Sequence, residues 1–458
     1  MFRGVPQIKK VLIANRGEIA CRVIRACHEL GLRTVAVYSE ADRDALHVAL
    51  ADEAVLLGGP SARDSYLNIP ALARAVTKSG ADAVHPGYGF LSENAAFAEV
   101  MDIWGVTFIG PPAEAIRKMG FKTIARETMK AAGVPVAPGS DGPVRGTEAA
   151  KKVAGSIGYP VMVKASAGGG GRGIRVAQNE AELEAALERA ASEAKASFGD
   201  EEVYLEKFVV DPRHIEIQVL ADGQGHIQAL GERECSVQRR RQKLIEEAPS
   251  VAVSPDLRRR MSEAGINAAA AVDYRGAGTC EFLLDEKTGE FYFMEMNTRI
   301  QVEHGVTELV TGVDLVKSQI LVAQGERLEE SGPTMEMNGW ALECRVNAED
   351  PERDFRPGPG TITTFRPPGF LGVRVDAGVT AGSTITPYYD SMVAKVLTWG
   401  RDRAEAIGRM EAALGDFLIE GIPTTIPIHQ RILKDPDFRA GRIHTNFLER
   451  RFGQAQAK

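Results

Sequence analysis

The chain has 458 residues, of which 44% are hydrophobic and 26% are charged, and its net charge is −7 at pH 7. This length predicts two or three domains with sizeable cores, and the net negative charge argues against a nucleic-acid coat. The five scattered cysteines lack the spacing of a zinc site or a disulfide framework, and no run of eighteen apolar residues occurs. We therefore expect a protein of the reducing cytoplasm without a membrane span or a signal peptide.

The N-terminal third predicts a parallel α/β domain. Lys10 to Ala14 is typical of a short apolar strand, a helical pattern follows, and Thr34 to Tyr38 predicts the next strand. A helix over 69–79 and a strand at 83–84 repeat this pattern and lead into the sequence HPGYG at 85–89. Residues that follow the carboxyl ends of such strands tend to face ligands, so we expect this segment near a ligand site.

A glycine-rich flap is predicted beyond a linker rich in proline and glycine at 135–143. A strand over Tyr159–Lys164 leads into Gly168–Gly171 and then into a second short strand at 174–177. The glycine spacing also matches a dinucleotide fingerprint. We reject that interpretation because the following segment is short and strand-like instead of helical, and because the lysine-serine/threonine pair of the Walker motif is missing. In a flap, backbone amides approach phosphates closely, and Lys164 and Arg172 add positive charge. A flexible surface turn is the alternative.

The segment after the flap predicts a helix, a strand and a basic run. An amphipathic helix over Glu182–Lys195 and the flap together indicate a small mobile subdomain that covers a ligand. Val203–Val209 then leads to His214, Glu216 and Gln218, which alternate with period two, as in a strand. The basic run comprises Arg239, Arg240, Arg241 and Lys243, flanked by Gln238 and Gln242. Such a run is most often a solvated face, but between these motifs anion binding is at least as good an interpretation.

The segment Glu295–His304 alternates with period two, which in an extended chain places one parity on one face. That face carries Glu295, Asn297, Arg299, Gln301 and Glu303. Two acidic side chains, two amides and a guanidinium on one face indicate a site that holds cations and an anion together. A solvated strand face, with its charges paired to Lys and Arg, is the alternative.

A magnesium site is predicted where a β-hairpin meets this face. Thr279–Leu284 and Glu290–Met294 indicate the two strands of the hairpin. If the loop has an odd number of residues, Glu281 lies directly across from Glu295. Two carboxylates at that spacing repel each other unless a cation lies between them. Mg²⁺ prefers oxygen ligands of this kind, which also suits the amide oxygen of Asn297.

The C-terminal part predicts short strands followed by a helix. The sequence from Glu343 to Asn347 precedes a passage rich in proline and glycine at 357–372, and strand and turn patterns continue to about Thr398. A helix is predicted over Arg403–Leu418. The chain has neither a fixed-period repeat nor a low-complexity tract.

Six motifs together closely resemble the biotin carboxylases, the ATP-grasp subunit or domain of the biotin-dependent carboxylases. They are ANRGE at 14–18, HPGYGFLSE at 85–93, Lys164 to Gly173, HIEIQ at 214–218, EMNTRIQVE at 295–303 and ECRVNAED at 343–350. The likeness runs from Val11 to about Leu448. It implies an α/β and α+β chain with a Rossmann-like N-terminal domain over 1–120, an ATP-grasp domain over 121–325 and a β-rich C-terminal domain over 326–458. A mobile glycine-rich lid is expected at about 138–209.

The resemblance implies a large set of residues around ATP. They are Lys122, Lys164, Gly169, Gly170, Gly171, Glu206, Lys207, Phe208, Val209, His214, Gln238, Arg241, Leu283 and Glu295. It also places Glu281, Glu295 and Asn297 on Mg²⁺, or on Mn²⁺ in its stead. This is the same set that the hairpin argument proposes.

The resemblance further implies roles in a ligase reaction. Lys243, Arg299, Gln301 and the backbone of Val302 resemble the bicarbonate cradle. Glu303 resembles the general base, and Arg345 resembles the group that faces biotin, with Tyr88 as a further substrate-binding residue. In the implied chemistry, ATP and bicarbonate form carboxyphosphate, which yields CO₂ and phosphate, and the ureido nitrogen of biotin attacks the CO₂.

Four positions depart from the commonest family pattern. Phe121 stands where an aspartate usually precedes the lysine that is Lys122 here. Ala167 replaces the first glycine of the flap, Arg241 stands where a histidine is common, and Gly305 replaces a proline. Arg241 still brings a positive charge, and unlike histidine it is charged at neutral pH. None of the four belongs to the proposed metal ligands, base or bicarbonate cradle.

Partners and alternatives complete the prediction. The sequence has no Met-Lys-Met biotinylation site, since Met129 and Lys130 continue into Ala131, so we expect the biotin on a separate biotin carboxyl carrier protein. Carboxyltransferase subunits are the other expected partners, first of acetyl-CoA carboxylase in fatty acid synthesis, then of a pyruvate or propionyl-CoA carboxylase. The family implies a homodimer. Two alternatives are a carbamoyl-phosphate-type ligase, which leaves residues 340–350 unexplained, and a silent ATP-binding regulatory subunit, which only Phe121 favours.

Overall fold

The structure is a computed structural model, and it describes residues 8–140, 142–144, 146–165, 174–198, 202–328 and 336–453. The chain divides into two compact units. The first unit comprises Met1–Val134, Arg213–Phe282 and Met294–Lys458, and the second comprises Pro135–Pro212 and Leu283–Phe293. The predicted Ala167 and Gly169–Gly171 lie outside the described residues.

The N-terminal part of the first unit contains a five-stranded parallel sheet. Its helices and strands are β1 (Lys10–Ile13), α1 (Gly17–Glu29), β2 (Arg33–Ser39), α2 (Leu46–Leu50), β3 (Glu53–Gly58), α3 (Ile69–Ser79), β4 (Ala83–His85), α4 (Ala95–Ile103), β5 (Thr107–Phe108), α5 (Ala113–Gly120) and α6 (Lys122–Ala131). The order is β3-β2-β1-β4-β5, and each pairing is parallel. Alternate residues of β1 enter two different buried clusters, so both faces are covered. This confirms the Rossmann-like prediction.

Helix α3 shows how local sequence sets these bounds. The side chain of Asn68 accepts a hydrogen bond from the backbone N–H of Ala71 at 3.0 Å, which caps the first turn. Gly80 ends the helix at φ +62°, a left-handed conformation that glycine adopts without strain. The predicted bounds 69–79 are confirmed.

In its described residues the second unit contains a three-stranded antiparallel sheet and two helices, in addition to residues Leu283–Phe293. Its elements are α7 (Thr147–Ile157), β6 (Val161–Ala165), β7 (Ile174–Ala177), α8 (Glu180–Phe198) and β8 (Val203–Lys207). The strand order is β7-β6-β8. Leu183 and Ala190 of α8 pack with Val161, Val163 and Leu205 in one buried cluster. The two strands predicted on either side of the flap are therefore present as β6 and β7, and they pair with each other.

The rest of the first unit begins with long strands. In chain order the elements are β9 (Arg213–Asp222), β10 (Ile227–Arg239), β11 (Gln242–Ala248), α9 (Pro255–Ala270), β12 (Arg275–Asp285), β13 (Glu290–Asn297), α10 (His304–Thr311) and α11 (Leu315–Ala323). The ends of β12 and β13 that join in the hairpin belong to the second unit. The predicted hairpin is therefore present.

The C-terminal elements are mostly short strands followed by helices. They are β14 (Trp340–Asn347), β15 (Glu349–Asp350), a 3-10 helix (Pro351–Arg353), β16 (Arg356–Pro357), β17 (Gly360–Thr361), β18 (Thr364–Arg366), β19 (Val373–Ala377), β20 (Thr384–Ile385), β21 (Met392–Gly400), α12 (Arg403–Asp416), β22 (Leu418–Glu420), α13 (Ile426–Lys434), α14 (Pro436–Arg439) and α15 (Phe447–Phe452). This agrees with the β-rich C-terminal prediction.

One eight-stranded sheet joins the long strands to the C-terminal elements, in the order β13-β12-β9-β10-β11-β14-β21-β19. The pairings from β9 to β19 are antiparallel. Glu246 on β11 lies across from Glu343 on β14, so the sheet continues through the predicted boundary near residue 326. The three-domain division stays a prediction. Among the described residues, no helix is long and apolar enough to cross a membrane.

Candidate active site

The predicted extended strand over 295–303 is only partly present. Strand β13 ends at Asn297, the chain turns over 298–303, and α10 begins at His304. Side chains from distant parts of the chain form hydrogen bonds with backbone groups that would pair with a neighbouring strand if this segment were extended. The N–H of Thr298 donates to Glu93 at 3.2 Å, and the carbonyl of Val302 accepts from Lys395 at 2.6 Å. The prediction of one continuous pleated face is therefore wrong.

The predicted side chains nevertheless meet around Glu281. Its Oε1 accepts from the side-chain nitrogens of Lys243, Asn297 and Gln301 at 2.9, 3.0 and 3.0 Å, and its Oε2 lies 2.9 Å from Nε2 of His214. Burial alone would raise the pKa of Glu281, but the charges of Lys243 and His214 outweigh it and hold this pKa well below the usual value. Glu281 is thus the anion that gathers these groups.

Lys243 forms a buried lysine-carboxylate cluster with Glu216, Glu281 and Glu303. Its Nζ donates to the three carboxylates at 2.7, 2.9 and 2.6 Å. Arg345 donates from Nη2 to the second oxygen of Glu303 at 2.9 Å. Burial would raise the pKa of Glu303, but Lys243 and Arg345 hold it well below its ordinary value. This carboxylate is therefore ionised at neutral pH, as the predicted role of general base requires.

Arg299 is held by three side chains. Its Nε donates to Glu93 at 2.9 Å, and its two terminal nitrogens donate to Gln301 and Asn297 at 2.8 and 3.0 Å. Glu93 is the last residue of the HPGYGFLSE motif, and sequence reasoning did not select it as a site residue. Its place in that motif was the available signal.

A cavity of about 200 Å³ lies beside this group and is lined by Glu93, Lys122, Glu295 and Asn297 among others. The pKa of Glu295 is raised, first by burial and then by the charge of Glu281, while Lys122 offsets part of the effect. Two repelling carboxylates with an amide oxygen are a donor set that fits Mg²⁺ or Mn²⁺. The amide oxygen of Asn297 accepts from Arg299 in this structure.

Arg345 is fixed by further buried groups that sequence reasoning missed. Its Nε donates to Glu246 at 2.6 Å. Its backbone carbonyl accepts from the hydroxyl of Thr425 at 2.8 Å and lies 2.7 Å from Nε2 of His429. Thr425 and His429 are 80 and 84 residues further along the chain, so no local pattern links them to Arg345.

Tyr88 belongs to a neighbouring buried group. Its hydroxyl donates to Glu18, whose carboxylate also lies 3.3 Å from Nζ of Lys395. A cavity of about 180 Å³ is lined by Tyr88, Arg16 and Tyr389 among others. Burial and then the charge of Glu18 raise the pKa of the Tyr88 hydroxyl well above its usual value. Tyr88 is linked through Glu18 to Lys395, which lies directly across from Arg345 on the neighbouring strand β21.

Two predicted nucleotide residues lie on the hairpin that joins β10 and β11. Gln238 is buried and lies directly across from Lys243 in the register of the two strands. Arg241 is exposed at the turn and has a φ of +70°. The basic run therefore includes the turn of a hairpin whose strands extend to the lysine-carboxylate cluster.

The predicted nucleotide residues of the second unit lie on and after β8, on β6 and on β12. Lys164 forms an ion pair with Glu206 across the β6–β8 pair. The backbone N–H of Phe208 donates to the carbonyl of Pro160 at 3.1 Å. Of the remaining members, Lys207 ends β8, Val209 is buried and Leu283 lies on β12.

Two departures from the family pattern have a structural setting. Phe121 is the N-cap residue of α6 and is 60% exposed, and it provides no side-chain hydrogen bond there. An aspartate at such a position caps the helix, which phenylalanine cannot do. A Cβ at Gly305 would collide with the side chain of Leu397, so glycine suits this chain where the family has proline.

Models of protein families match almost the whole chain. The N-terminal domain of biotin carboxylase matches residues 7–116, and the biotin carboxylase C-terminal domain matches residues 343–450. Between them, the ATP-binding domain of the carbamoyl-phosphate synthase L chain matches residues 122–331. The chain belongs to the biotin carboxylase family. The two flanking domains decide this, because the ATP-binding domain alone would also fit the carbamoyl-phosphate-type alternative.

Individual biotin carboxylases and related proteins are similar along nearly their full lengths. Biotin carboxylase 1 of Bacillus subtilis is 57% identical over 442 residues, which are 96% of this chain and 98% of the relative. The biotin carboxylase of Haemophilus influenzae is 53% identical over 97% of this chain and 99% of its own length. A pyruvate carboxylase subunit of Methanothermobacter thermautotrophicus is 53% identical over 96% of this chain and 89% of its own length.

A solved biotin carboxylase has the same fold. The biotin carboxylase domain dimer of the Hydrogenobacter thermophilus 2-oxoglutarate carboxylase, in complex with MgADP, ADP and bicarbonate, is 51% identical. Its TM-score is 0.87 over 97% of this chain and 98% of that one. The resemblance and the fold class predicted from the motifs are confirmed.

Proposed function

We propose that this protein catalyses the ATP-dependent carboxylation of biotin on a carrier protein, with bicarbonate as the carboxyl donor. The observation that supports this most directly is the setting of Glu303. Lys243 and Arg345 donate to its two oxygens at 2.6 and 2.9 Å. A base between two cations, next to Arg299 and Gln301, suits an anionic substrate that must lose a proton.

In the proposed first step, bicarbonate is bound by Lys243, Arg299, Gln301 and the backbone of Val302. Glu303 removes its proton, and the resulting oxygen attacks the γ-phosphate of ATP to give carboxyphosphate and ADP. The surroundings of Arg299 support this role, because its guanidinium is fixed by hydrogen bonds that it donates to Glu93, Asn297 and Gln301. Fixed donors cost little reorganisation during the reaction.

The residues proposed to bind the nucleotide are Lys122, Lys164, Gly169, Gly170, Gly171, Glu206, Lys207, Phe208, Val209, His214, Gln238, Arg241, Leu283 and Glu295. Glu281, Glu295 and Asn297 would hold Mg²⁺ or Mn²⁺. When bound, the ion would neutralise negative charge that develops on the phosphates during the transfer.

In the proposed second step, carboxyphosphate yields CO₂ and phosphate, and phosphate accepts the ureido proton of biotin. The ureido nitrogen then attacks CO₂. Arg345 stabilises the negative oxygen that develops on the ureido group, and Tyr88 lines the same region. Glu246, Thr425 and His429 support this role, since they fix the side chain and the backbone of Arg345.

We further propose that the chain acts in the cytoplasm as a homodimer with separate carrier and carboxyltransferase subunits. The five buried, unpaired cysteines suit a reducing compartment. An acetyl-CoA carboxylase of fatty acid synthesis is the first candidate for the assembly, and a pyruvate or propionyl-CoA carboxylase is the alternative. Genomic neighbours and co-purifying proteins would distinguish these assemblies.

Phosphate release with and without free biotin tests the activity. We expect ATP cleavage that requires bicarbonate and increases when biotin is added. A rate of ATP cleavage that is the same with and without biotin would instead favour a ligase for another carboxylate. ATP binding without phosphate release would favour the silent regulatory subunit.

A further inference from the structure

The hairpin tip (Arg239–Gln242) has an unusual backbone for its sequence. Arg240 and Arg241 form the two-residue loop between β10 and β11, with φ values of +49° and +70°. Loops of this type favour Asn-Gly, because left-handed backbone is unfavourable for residues with long side chains. Two arginines in this conformation need contacts elsewhere to hold them there.

Arg240 and the preceding Arg239 contact a second left-handed turn. Asp354 and Phe355, which follow the 3-10 helix Pro351–Arg353, have φ values of +54° and +57°. The carboxylate of Asp354 forms an ion pair with Arg239 and a second one with Arg240 at 3.1 Å. The guanidinium of Arg239 also lies 4.5 Å from the centre of the Phe355 ring. One turn thus holds both arginines that precede Arg241.

The strands behind the tip extend to the proposed active site. Gln238 and Lys243 lie across from each other one position beyond the Arg239–Gln242 pair. Lys243 is also fixed by three carboxylates, so its position does not depend on the tip. Arg241 is exposed and has no comparable cluster around it among the described residues. A shift of the tip would therefore displace Arg241 more than Lys243.

We propose that Asp354 is a positioning residue for the nucleotide, because its pairs with Arg239 and Arg240 hold the hairpin tip so that Arg241 faces the phosphates. This inference rests on the proposed function. Asp354 acts through the hairpin and does not itself touch the substrate. Neither the 3-10 helix Pro351–Arg353 nor the turn at Asp354 and Phe355 belongs to the motifs that carry the family resemblance.

The substitution Asp354→Asn separates charge from backbone conformation. Asparagine has the same shape and also tolerates left-handed backbone, so the turn stays intact while both ion pairs lose their anion. We expect the KM for ATP to rise about three- to tenfold, since each exposed pair contributes modestly. The KM values for bicarbonate and biotin should stay within about twofold of wild type, because Lys243 keeps its three carboxylates.

Glu352→Gln is the matched control. Glu352 lies on the same short segment and is 76% exposed, but it pairs with Arg431 on α13 at 3.0 Å. The Glu352→Gln variant loses one acidic charge close to Asp354 but keeps the ion pairs of Asp354 with Arg239 and Arg240. We therefore expect wild-type kinetics. Arg239→Gln should reproduce the effect of Asp354→Asn, and the double variant should be no worse than either single one.

An unchanged KM for ATP in Asp354→Asn would overturn the inference, and so would an equal rise in all three KM values. The first result would mean that Asp354 only forms the turn. The second would mean a general loss of structure. Absence of bicarbonate-dependent ATP cleavage in the wild type would instead overturn the proposed function itself.

Discussion

Arg345 donates from Nη2 to Oε2 of Glu303 at 2.9 Å, so the group proposed to face biotin holds the group proposed as the base. The other oxygen of Glu303 accepts from Lys243 at 2.6 Å. Both oxygens therefore accept hydrogen bonds from cationic side chains, and the proposed substrate bicarbonate would have to displace one of these donors to reach the base. A bound anion reduces the stabilisation that Lys243 and Arg345 give to the ionised form of Glu303. The proton affinity of Glu303 therefore rises when the substrate binds.

Glu303→Gln tests the base directly. The amide keeps the size of the side chain but cannot accept the proton of bicarbonate, so we expect the turnover number to fall by roughly 100-fold or more. Nucleotide affinity should change little, because Glu303 contacts Lys243 and Arg345, not the groups proposed for ATP. Steady-state phosphate release and ADP binding measure the two quantities. Normal turnover in this variant would remove the assignment.

Arg345→Ala separates the two proposed half-steps. Removing the guanidinium should reduce biotin-dependent ATP cleavage by about 100-fold, as expected for the loss of a group that stabilises developing negative charge. The slower cleavage that we expect with bicarbonate alone should persist, because Lys243, Arg299 and Gln301 remain. Phosphate release with and without biotin measures both rates. An equal loss of both would place Arg345 in the first step instead.

Glu295→Gln tests the metal site. Loss of one of two neighbouring carboxylates should raise the Mg²⁺ concentration needed for half-maximal ATP cleavage by at least about tenfold. At saturating Mg²⁺ the KM for bicarbonate should be near the wild-type value, since Arg299 and Gln301 are intact. Titration with MgCl₂ at fixed ATP measures the effect. A variant whose metal requirement equals that of wild type would exclude Glu295 as a ligand.

Arg299→Ala should abolish turnover while leaving nucleotide affinity largely intact. The guanidinium donates to Glu93, Asn297 and Gln301, so its removal takes away both the charge proposed to bind bicarbonate and the fixed frame around it. We expect at least about a 100-fold loss in kcat/KM for bicarbonate. A loss confined to ATP affinity would assign Arg299 to the nucleotide.

Elements with a complete local pattern could be predicted from the sequence. The bounds of α3 follow from Asn68 and Gly80, and the strand at 174–177 matches β7 residue for residue. The extended segment predicted over Glu295–His304 was wrong beyond Asn297, because the conformation of residues 298–303 depends on partners far away in the sequence. Glu93 and Lys395, which take the backbone groups of this segment, are separated by 205 and 93 residues from Thr298 and Val302.

The predicted site residues converge in spite of that error, because Glu281 and Lys243 draw the amides and carboxylates together. Their partners were harder to predict. Glu216 and Glu246 become partners of Lys243 and Arg345 only through the register of β9, β11 and β14 in one sheet. Charged residues at every second position indicate that they share one face of a strand. They do not indicate which residues of other strands lie beside them, because that depends on the register of the whole sheet.

The buried pair Glu246 and Glu343 predicts a pH dependence of stability. Both side chains are fully buried and lie across from each other on β11 and β14. Arg345 bonds one oxygen of Glu246, whereas among the described residues neither oxygen of Glu343 has a hydrogen-bond partner. Burial raises the pKa of Glu246 to about 7, from 4.5 in an exposed glutamate.

The folded protein therefore keeps the proton of Glu246 over a pH range in which the unfolded chain has lost it. This contribution to the free energy of unfolding is complete below pH 4.5 and declines as the pH rises to about 7, by about 3 kcal/mol. In Glu246→Gln the decline should be smaller by about this amount, while the part that comes from Glu343, whose pKa burial also raises, should remain. Thermal unfolding of both proteins at pH 5 and pH 7.5 measures the difference, with Glu352→Gln as an exposed control. A parallel pH dependence in wild type and Glu246→Gln would show that Glu246 is already ionised in the folded state at pH 5.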